Sequence, residues 1–405
     1  MTTNSLYISA LPILPPSAQQ HKCRRSIRNS HSSNNKAMVV PAAAAPECGR
    51  RDAAAAAAVF CLRGRGVVVP TVDMSAPAGR GELSRQVARA CAGSGFFRAV
   101  NHGVPPRVSA AMDAAAAAFF ARAAPEKQLA GPPDPLGYGS RSIGANGDVG
   151  ELEYLILHAS SDAVARKASA IDREDPRRFS QVVNDYVESV RQLACHVLDL
   201  LGEGLGLRDP TSLTRLITAT DNDSLVRINH YPPSCAAAGD YKSGGGPAPT
   251  AAIGFGEHTD PQILSVLRSN DADGLQLLLP DAAAAAGDSV WVPVPPDPSA
   301  FFVNVGDLLQ ALTNGRLVSI RHRVVAGTGK PRLSTIYFAA PPLHARISAL
   351  PETVAAGAPR RYRAFTWAEY KRTMYTLRLS HNRLDLFHAG DGDGDAGVGD
   401  DDDHE

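Results

Sequence analysis

The 405-residue sequence predicts a mixed α and β fold: a double-stranded β-helix (jelly-roll) core with flanking helices. Two changes of pattern carry that expectation. From about residue 82 to 207, apolar residues recur at spacings of three and four, most clearly in the run from Phe179 through Val183, Tyr186, Val190 and Val197 to Leu201. That spacing lines one face of a helix and reads as core packing. From about 224 to 340 the chain turns to eight short β-rich runs, SLVRINHY through RLSTIYFAA, broken by Pro, Gly and Asp. Short strands at that interval are the mark of a sandwich, barrel or jelly roll.

Taken in order, the chain divides into a leader over 1–60, an amino-terminal helical segment over 67–207 and a β segment over 220–345. A closing helical segment over 346–388 contains FTWAEYKRTMYTLRLSHNRL, and an acidic tail covers 389–405. The formal charge is balanced, with 41 basic and 41 acidic residues, but the ends are not. Residues 1–51 carry seven Lys/Arg and one acid, whereas 391–405 carry eight acids and no Lys/Arg. Both ends are too polar and repetitive to offset ordering entropy, so disorder is expected for each. Asp391, Asp393 and Asp395 alternate like a calcium loop, but Ala396 stands where that loop needs glycine. The first 46 residues contain five Lys/Arg, no acid and many Ser and Asn, the composition of an organellar transit peptide. The alternative is that Met38 is the working start.

Several function classes fall away on composition. No stretch of about 18 apolar residues is present to cross a membrane. Balanced charge and 6% aromatics give no electrostatic footprint for nucleic acid. Six cysteines without a C-x-x-C offer neither a zinc ribbon nor a disulfide framework, which fits a reducing compartment. No period of 20–50 residues marks a solenoid.

The chemistry sits on the strands. His258-Thr259-Asp260 is the only H-x-D among twelve histidines. On a strand, residues i and i+2 face the same way, so both side chains can grip one ion. His322, on a later run of alternating apolar residues, is the natural third ligand. Two imidazoles and a carboxylate form the facial triad of non-haem Fe(II) oxygenases. Alone, an H-x-D with a distant His is a weak signal, and satisfied polar residues at a strand end are the commoner reading. Ten residues further, Arg332 and Ser334 share a strand face, where a guanidinium fork beside a hydroxyl suits a carboxylate. Upstream, Asn229 and Tyr231 offer an amide and a phenol to the same anion. Clamp, triad and second clamp in order imply a dicarboxylic keto acid as co-substrate.

With those residues in place, the region 67–388 resembles the plant 2-oxoglutarate- and Fe(II)-dependent dioxygenases. VPTVDMS and SGFFRAVNHGVP resemble the family's amino-terminal part; NHYPP, HTD, IRHRVV and RLS resemble its catalytic part. Within it, GFGEHTDPQILSVLRSN, PLGYGSRSIGANGDVGELEYLIL and the closing FTWAEYKRTMYTLRLSHNRL resemble the gibberellin 2-oxidases that act on nineteen-carbon gibberellins. The 20-oxidases and 3-oxidases differ where this chain has Pro261-Gln262-Ile263.

The resemblance implies that His258, Asp260 and His322 bind Fe(II). It further implies that Arg332, counted also as catalytic, and Ser334 hold the distal carboxylate of 2-oxoglutarate, with Tyr231 and Asn229 completing that site. The implied reaction consumes O2 and 2-oxoglutarate, with ascorbate as activator, and hydroxylates a gibberellin at the 2β position, deactivating the hormone. Gibberellin is then the partner, with no nucleic acid and no membrane. Its carboxylate calls for a cation, for which Arg98 and Arg141 are the guesses. His102 and His230 are expected to be structural, since the triad is already complete. The leader lies outside the family pattern, which favours Met38 as the start and a cytoplasmic protein. Two other readings stay open: a sister oxygenase acting on another gibberellin position or a flavonoid, and an inactive binding or storage relative, which the intact triad argues against.

Overall fold

The computed structural model describes residues 69–133, 135–143, 147–233, 252–280, 289–326, 329–379 and 382–390. The expected leader, and the tail from 391 onward, lie outside the described residues.

The amino-terminal segment opens with β1 (Thr71–Asp73), α1 (Arg80–Gly93) and β2 (Phe96–Val100), the two strands lying parallel. α2 (Pro106–Phe120) starts on a proline, whose fixed φ suits a first helical turn. The short α3 (Ala124–Gln128) leads into an antiparallel pair, β3 (Gly137–Ile143) and β4 (Asp148–His158). Then come α4 (Ser161–Ile171), α5 (Pro176–Leu205) and α6 (Ser212–Thr218). α5 has both of its ends written in sequence. The Asp175 side chain accepts from Arg178 N, Pro176 follows it, and Gly206 at φ 73 turns the chain off. The stripe expected on this helix is buried, except that Val182 is only partly so.

The β segment supplies β5 (Leu225–Tyr231), β6 (Ile253–His258), β7 (Leu264–Ser269), β8 (Leu275–Pro280), β9 (Ser289–Pro293) and β10 (Phe301–Val305). After α7 (Asp307–Leu312) come β11 (His322–Val325) and β12 (Arg332–Ala339). The eight strands expected from sequence are thus present, although β11 begins only at His322 within RLVSIRHRVV. A small pair, β13 (Arg346–Ile347) and β14 (Phe365–Thr366), precedes α8 (Trp367–Thr376) and a 3-10 turn at Arg383–Phe387.

Two expectations need correction. The region 82–207 is mostly helical as expected, but β2, β3 and β4 interrupt it; FFRAV and LEYLILH are strand sequences within the helical segment. The closing stretch is helical only to Thr376, after which Leu377 turns to an extended conformation.

An eight-stranded sheet runs β1-β2-β10-β7-β12-β5-β4-β3, and a four-stranded sheet runs β6-β11-β8-β9. The large sheet is buried on both faces, and its strands alternate between two cores. Phe96, Tyr154, Tyr231, Leu267, Phe302 and Ile336 pack with Phe255, Leu275, Leu277, Val292 and Val324 of the small sheet. Their neighbours Phe97, Leu155, Val266, Phe301, Val303 and Tyr337 pack against α1, α2 and α5. A strand's period of two separates these sets, and each large side chain contributes about 1.5–3 kcal/mol by leaving water. The functional residues lie between the sheets.

Candidate active site

β6 and β11 are antiparallel neighbours, and their register sets His322 directly opposite His258. The imidazole ring centroids are 4.2 Å apart. Asp260, two residues past His258, brings its Oδ1 to 3.7 Å from His258 Nε2 and 3.6 Å from His322 Nε2. One ligand atom from each residue falls within 4.8 Å of the other two. His258 Nδ1 lies 2.7 Å from the Gly256 carbonyl, and His322 Nδ1 lies 3.2 Å from that of Ile320. A proton on each Nδ1 donates to those carbonyls and leaves both Nε2 lone pairs aimed at one point. Burial, then the neighbouring His322, pushes the His258 pKa well below its ordinary value, so the ring is a neutral donor.

The carboxylate is oriented as firmly. Asn304 Nδ2 donates to Asp260 Oδ2 at 3.2 Å, leaving Oδ1 for the shared point. Asp307 N donates to the Asp260 carbonyl at 2.8 Å. That approach needs Gly306, where an added Cβ would sit 2.0 Å from the Gln262 carbonyl oxygen. The buried Asp307 carboxylate accepts from Thr259 Oγ1 at 3.1 Å, Ser319 Oγ at 2.6 Å and Tyr370 Oη at 2.7 Å. Burial raises its pKa against the pull of these bonds and of Arg383. Arg383 Nη2 donates to the Thr259 carbonyl at 2.9 Å, so the carboxyl-terminal segment also braces the H-T-D turn.

On the facing sheet, β12 pairs with β5 so that Arg332 lies opposite Tyr231 and Ser334 opposite Asn229. The Arg332 guanidinium carbon lies 5.4 Å from the centre of the Tyr231 ring. Arg332 is only 3% exposed, yet its Nε and Nη1 have no hydrogen-bond partner, nor has Ser334 Oγ. Burial raises the Tyr231 pKa, which keeps its phenol protonated as a donor.

One cavity between the sheets is lined by all seven of the residues expected from sequence: Asn229, Tyr231, His258, Asp260, His322, Arg332 and Ser334. Arg98 and Arg141 do not line it. Arg98 Nη1 is held by Asp297 at 3.2 Å, and Arg141 is 76% exposed beside Glu151. His102 is structural as expected, with Nε2 donating to the Ser299 carbonyl and Nδ1 accepting from Val104 N. His230 likewise sits 2.9 Å from Glu153 and stacks on Phe120. Sequence reading passed over Arg227 and Asn304. Arg227 was findable, because it continues the i, i+2, i+4 face of Asn229 and Tyr231. Asn304 is the one polar residue in FFVNV.

A family model described as the 2OG-Fe(II) oxygenase superfamily matches residues 222–341. A second, the amino-terminal part of a non-haem dioxygenase in morphine synthesis, matches 69–172. Gibberellin 2-beta-dioxygenase 2 of Oryza sativa subsp. japonica is 96% identical over 371 residues, 91% of this chain and 100% of the relative. The chain belongs to the gibberellin 2-beta-dioxygenases of the 2OG-Fe(II) oxygenase superfamily. A more distant member, gibberellin 2-beta-dioxygenase of Phaseolus coccineus, is 46% identical across 79% of this chain and 90% of its own. Among solved structures, the rice dioxygenase for auxin oxidation is 30% identical with a TM-score of 0.64, covering 79% of this chain and all of its own. JOX2, solved with 2OG, Fe and JA, is 26% identical with a TM-score of 0.66, covering 80% and 89%.

The residues present fit the family's iron and co-substrate. Two imidazoles and one carboxylate on one side of a point are a donor set for Fe(II) with positions left open. The unpartnered donors of Arg332 and Ser334 are the complement of a carboxylate.

Proposed function

We propose that this chain hydroxylates gibberellins at the 2β position, using Fe(II), O2 and 2-oxoglutarate, and so deactivates the hormone. The observation that carries this reading is the convergence of the triad and the Arg332 clamp on one cavity, in a chain 96% identical to a protein of that name. His258, Asp260 and His322 hold the metal. Arg332 and Ser334 hold the distal carboxylate of 2-oxoglutarate, while Tyr231 and Asn229 line the same strand face. Fe(II) at the triad supplies the oxygen chemistry that couples decarboxylation of the keto acid to hydroxylation. The protein's part is to dock two substrates, exclude water and fix one C–H bond within about 3–3.5 Å of the reacting atom.

Purified protein incubated with Fe(II), 2-oxoglutarate and a panel of gibberellins should yield 2β-hydroxylated products by mass spectrometry. A hydroxyl on another carbon would move the chain to a sister activity. No helix among the described residues is long and apolar enough to cross a membrane. Six cysteines without a disulfide framework support a reducing compartment, and the cytoplasm is the proposed place of work. Following the tagged whole chain in cells tests it, and import into an organelle would refute it.

A further inference from the structure

Three arginines line the cavity: Arg227, Arg332 and Arg383. Arg332 is placed for the co-substrate, and Arg383 braces the Thr259 carbonyl of the H-T-D turn through Nη2, although its Nε also has no partner. Arg227 is left without an anion. Its Nε donates to Asn229 Oδ1 at 2.8 Å, but its Nη2 is sealed from water with no hydrogen-bond partner. On β5 it is flanked by Ile336 of β12 on one side and Ile156 of β4 on the other. Its guanidinium carbon lies 4.1 Å from the Tyr154 ring centre and 4.8 Å from that of Phe255. Among the described residues it makes no ion pair. A cation held between isoleucines and aromatic faces is costly unless something negative joins it.

That anion is not the co-substrate. Arg332 stands opposite Tyr231, and Arg227 lies four residues along β5 from Tyr231. Four residues of strand span about 13 Å, beyond the length of a five-carbon diacid already held at Arg332. The cavity wall includes the apolar Ile156, Leu225, Ile336, Phe338, Met374 and Leu379, with the phenol rings of Tyr154 and Tyr375 among them. A lone cation in an apolar wall matches a ligand with one carboxylate on a hydrocarbon skeleton.

We infer that Arg227 is the anchor for the substrate's carboxylate, setting which end of the polycyclic skeleton enters the cavity. This rests on the gibberellin reading and adds the residue that Arg98 and Arg141 failed to supply. The contact uses the planar guanidinium fork, and Tyr154 and Phe255 hold that plane in place.

The test compares a gibberellin with its methyl ester, which keeps the skeleton and removes the charge. Binding is measured by calorimetry on protein loaded with Fe(II) and 2-oxoglutarate under argon, and KM values are taken in air. The unaltered chain should bind the acid at least tenfold more tightly than the ester. Arg227→Met should bring that ratio close to one, and Arg227→Lys should retain part of it because the charge survives. Both Arg227 variants should still bind 2-oxoglutarate, which separates loss of the anchor from collapse of the cavity. The inference is overturned if either Arg227 variant keeps the full preference, or if 2-oxoglutarate binding is lost along with it. Failure of the unaltered chain to bind any gibberellin would instead overturn the functional reading.

Discussion

Arg332, the proposed clamp for the co-substrate, places much of the proposed function on a single side chain. It is buried, lies against the Tyr231 ring and leaves Nε and Nη1 unpaired. Unsatisfied buried donors cost about 1–3 kcal/mol each, and a carboxylate on one edge of the guanidinium takes up one of these donors together with Nη2, removing part of that cost. Lysine keeps the charge but cannot offer two parallel N–H groups. Arg332→Lys should therefore raise KM for 2-oxoglutarate ten- to a hundred-fold, roughly 1.4–2.8 kcal/mol of binding. The gibberellin constant should change little, because the inferred anchor, Arg227, lies on the neighbouring β5, four residues from the Tyr231 that faces Arg332. Ser334→Ala should act the same way more weakly, by about 0.5–1.5 kcal/mol for one hydrogen bond. Kinetics with each substrate varied separately decide it: a rise confined to the gibberellin constant would place the co-substrate clamp elsewhere.

Between elements, the comparable device is Glu153 on β4. Its Oε2 accepts from Lys127 of α3 at 2.5 Å and from Tyr138 of β3 at 2.7 Å, and its Oε1 meets His230 of β5 at 2.9 Å. One carboxylate thus ties a helix and two strands to β4. Burial alone would raise its pKa, but the bonds from His230, Lys127 and Tyr138 prevail and lower it from 4.5 to about 2. A depressed carboxylate stabilises the fold above its unfolded pKa and loses that contribution as pH falls through the folded one. The window is therefore from about pH 4.5 down to about pH 2. A shift of this size corresponds to about 3 kcal/mol, which partial contact with water reduces to roughly 1–2 kcal/mol. Glu153→Gln should be less stable by that amount at pH 7, with the gap closing across the window. Urea midpoints at a series of pH values measure it, and a gap that stays constant would remove Glu153 from the role.

At the scale of the whole molecule, what could be read in advance was local and what could not was register. β5 to β12 were legible because alternation and turn residues are written within each strand, and the triad because His258 and Asp260 are two apart on one of them. β3 and β4 were missed beside stronger helical periodicity, and no local pattern shows that β2 pairs with β10. Charge alone points to Arg98 and Arg141, whereas the order β12-β5-β4 is what turns Arg227 toward the cavity. That same order distributes the site over both sheets: β5 and β12 carry the residues proposed for the clamp, and β6 and β11 carry the imidazoles. Ligands that bind such a site bind only the folded chain, so their free energy becomes stability of the whole. At a hundred times its dissociation constant, a ligand adds about 2.7 kcal/mol, worth roughly 3–4 °C in Tm for a chain of this size. Anaerobic Fe(II) should raise Tm by about that much, 2-oxoglutarate should add a second increment, and a chelator should reverse both. Asp260→Ala should lose the iron increment, because the carboxylate that completes the triad is gone. Arg332→Lys should keep the iron increment and lose most of the second. Calorimetric scans of the three proteins decide the matter: a full iron increment in Asp260→Ala would mean that the metal is held without the carboxylate Asn304 orients.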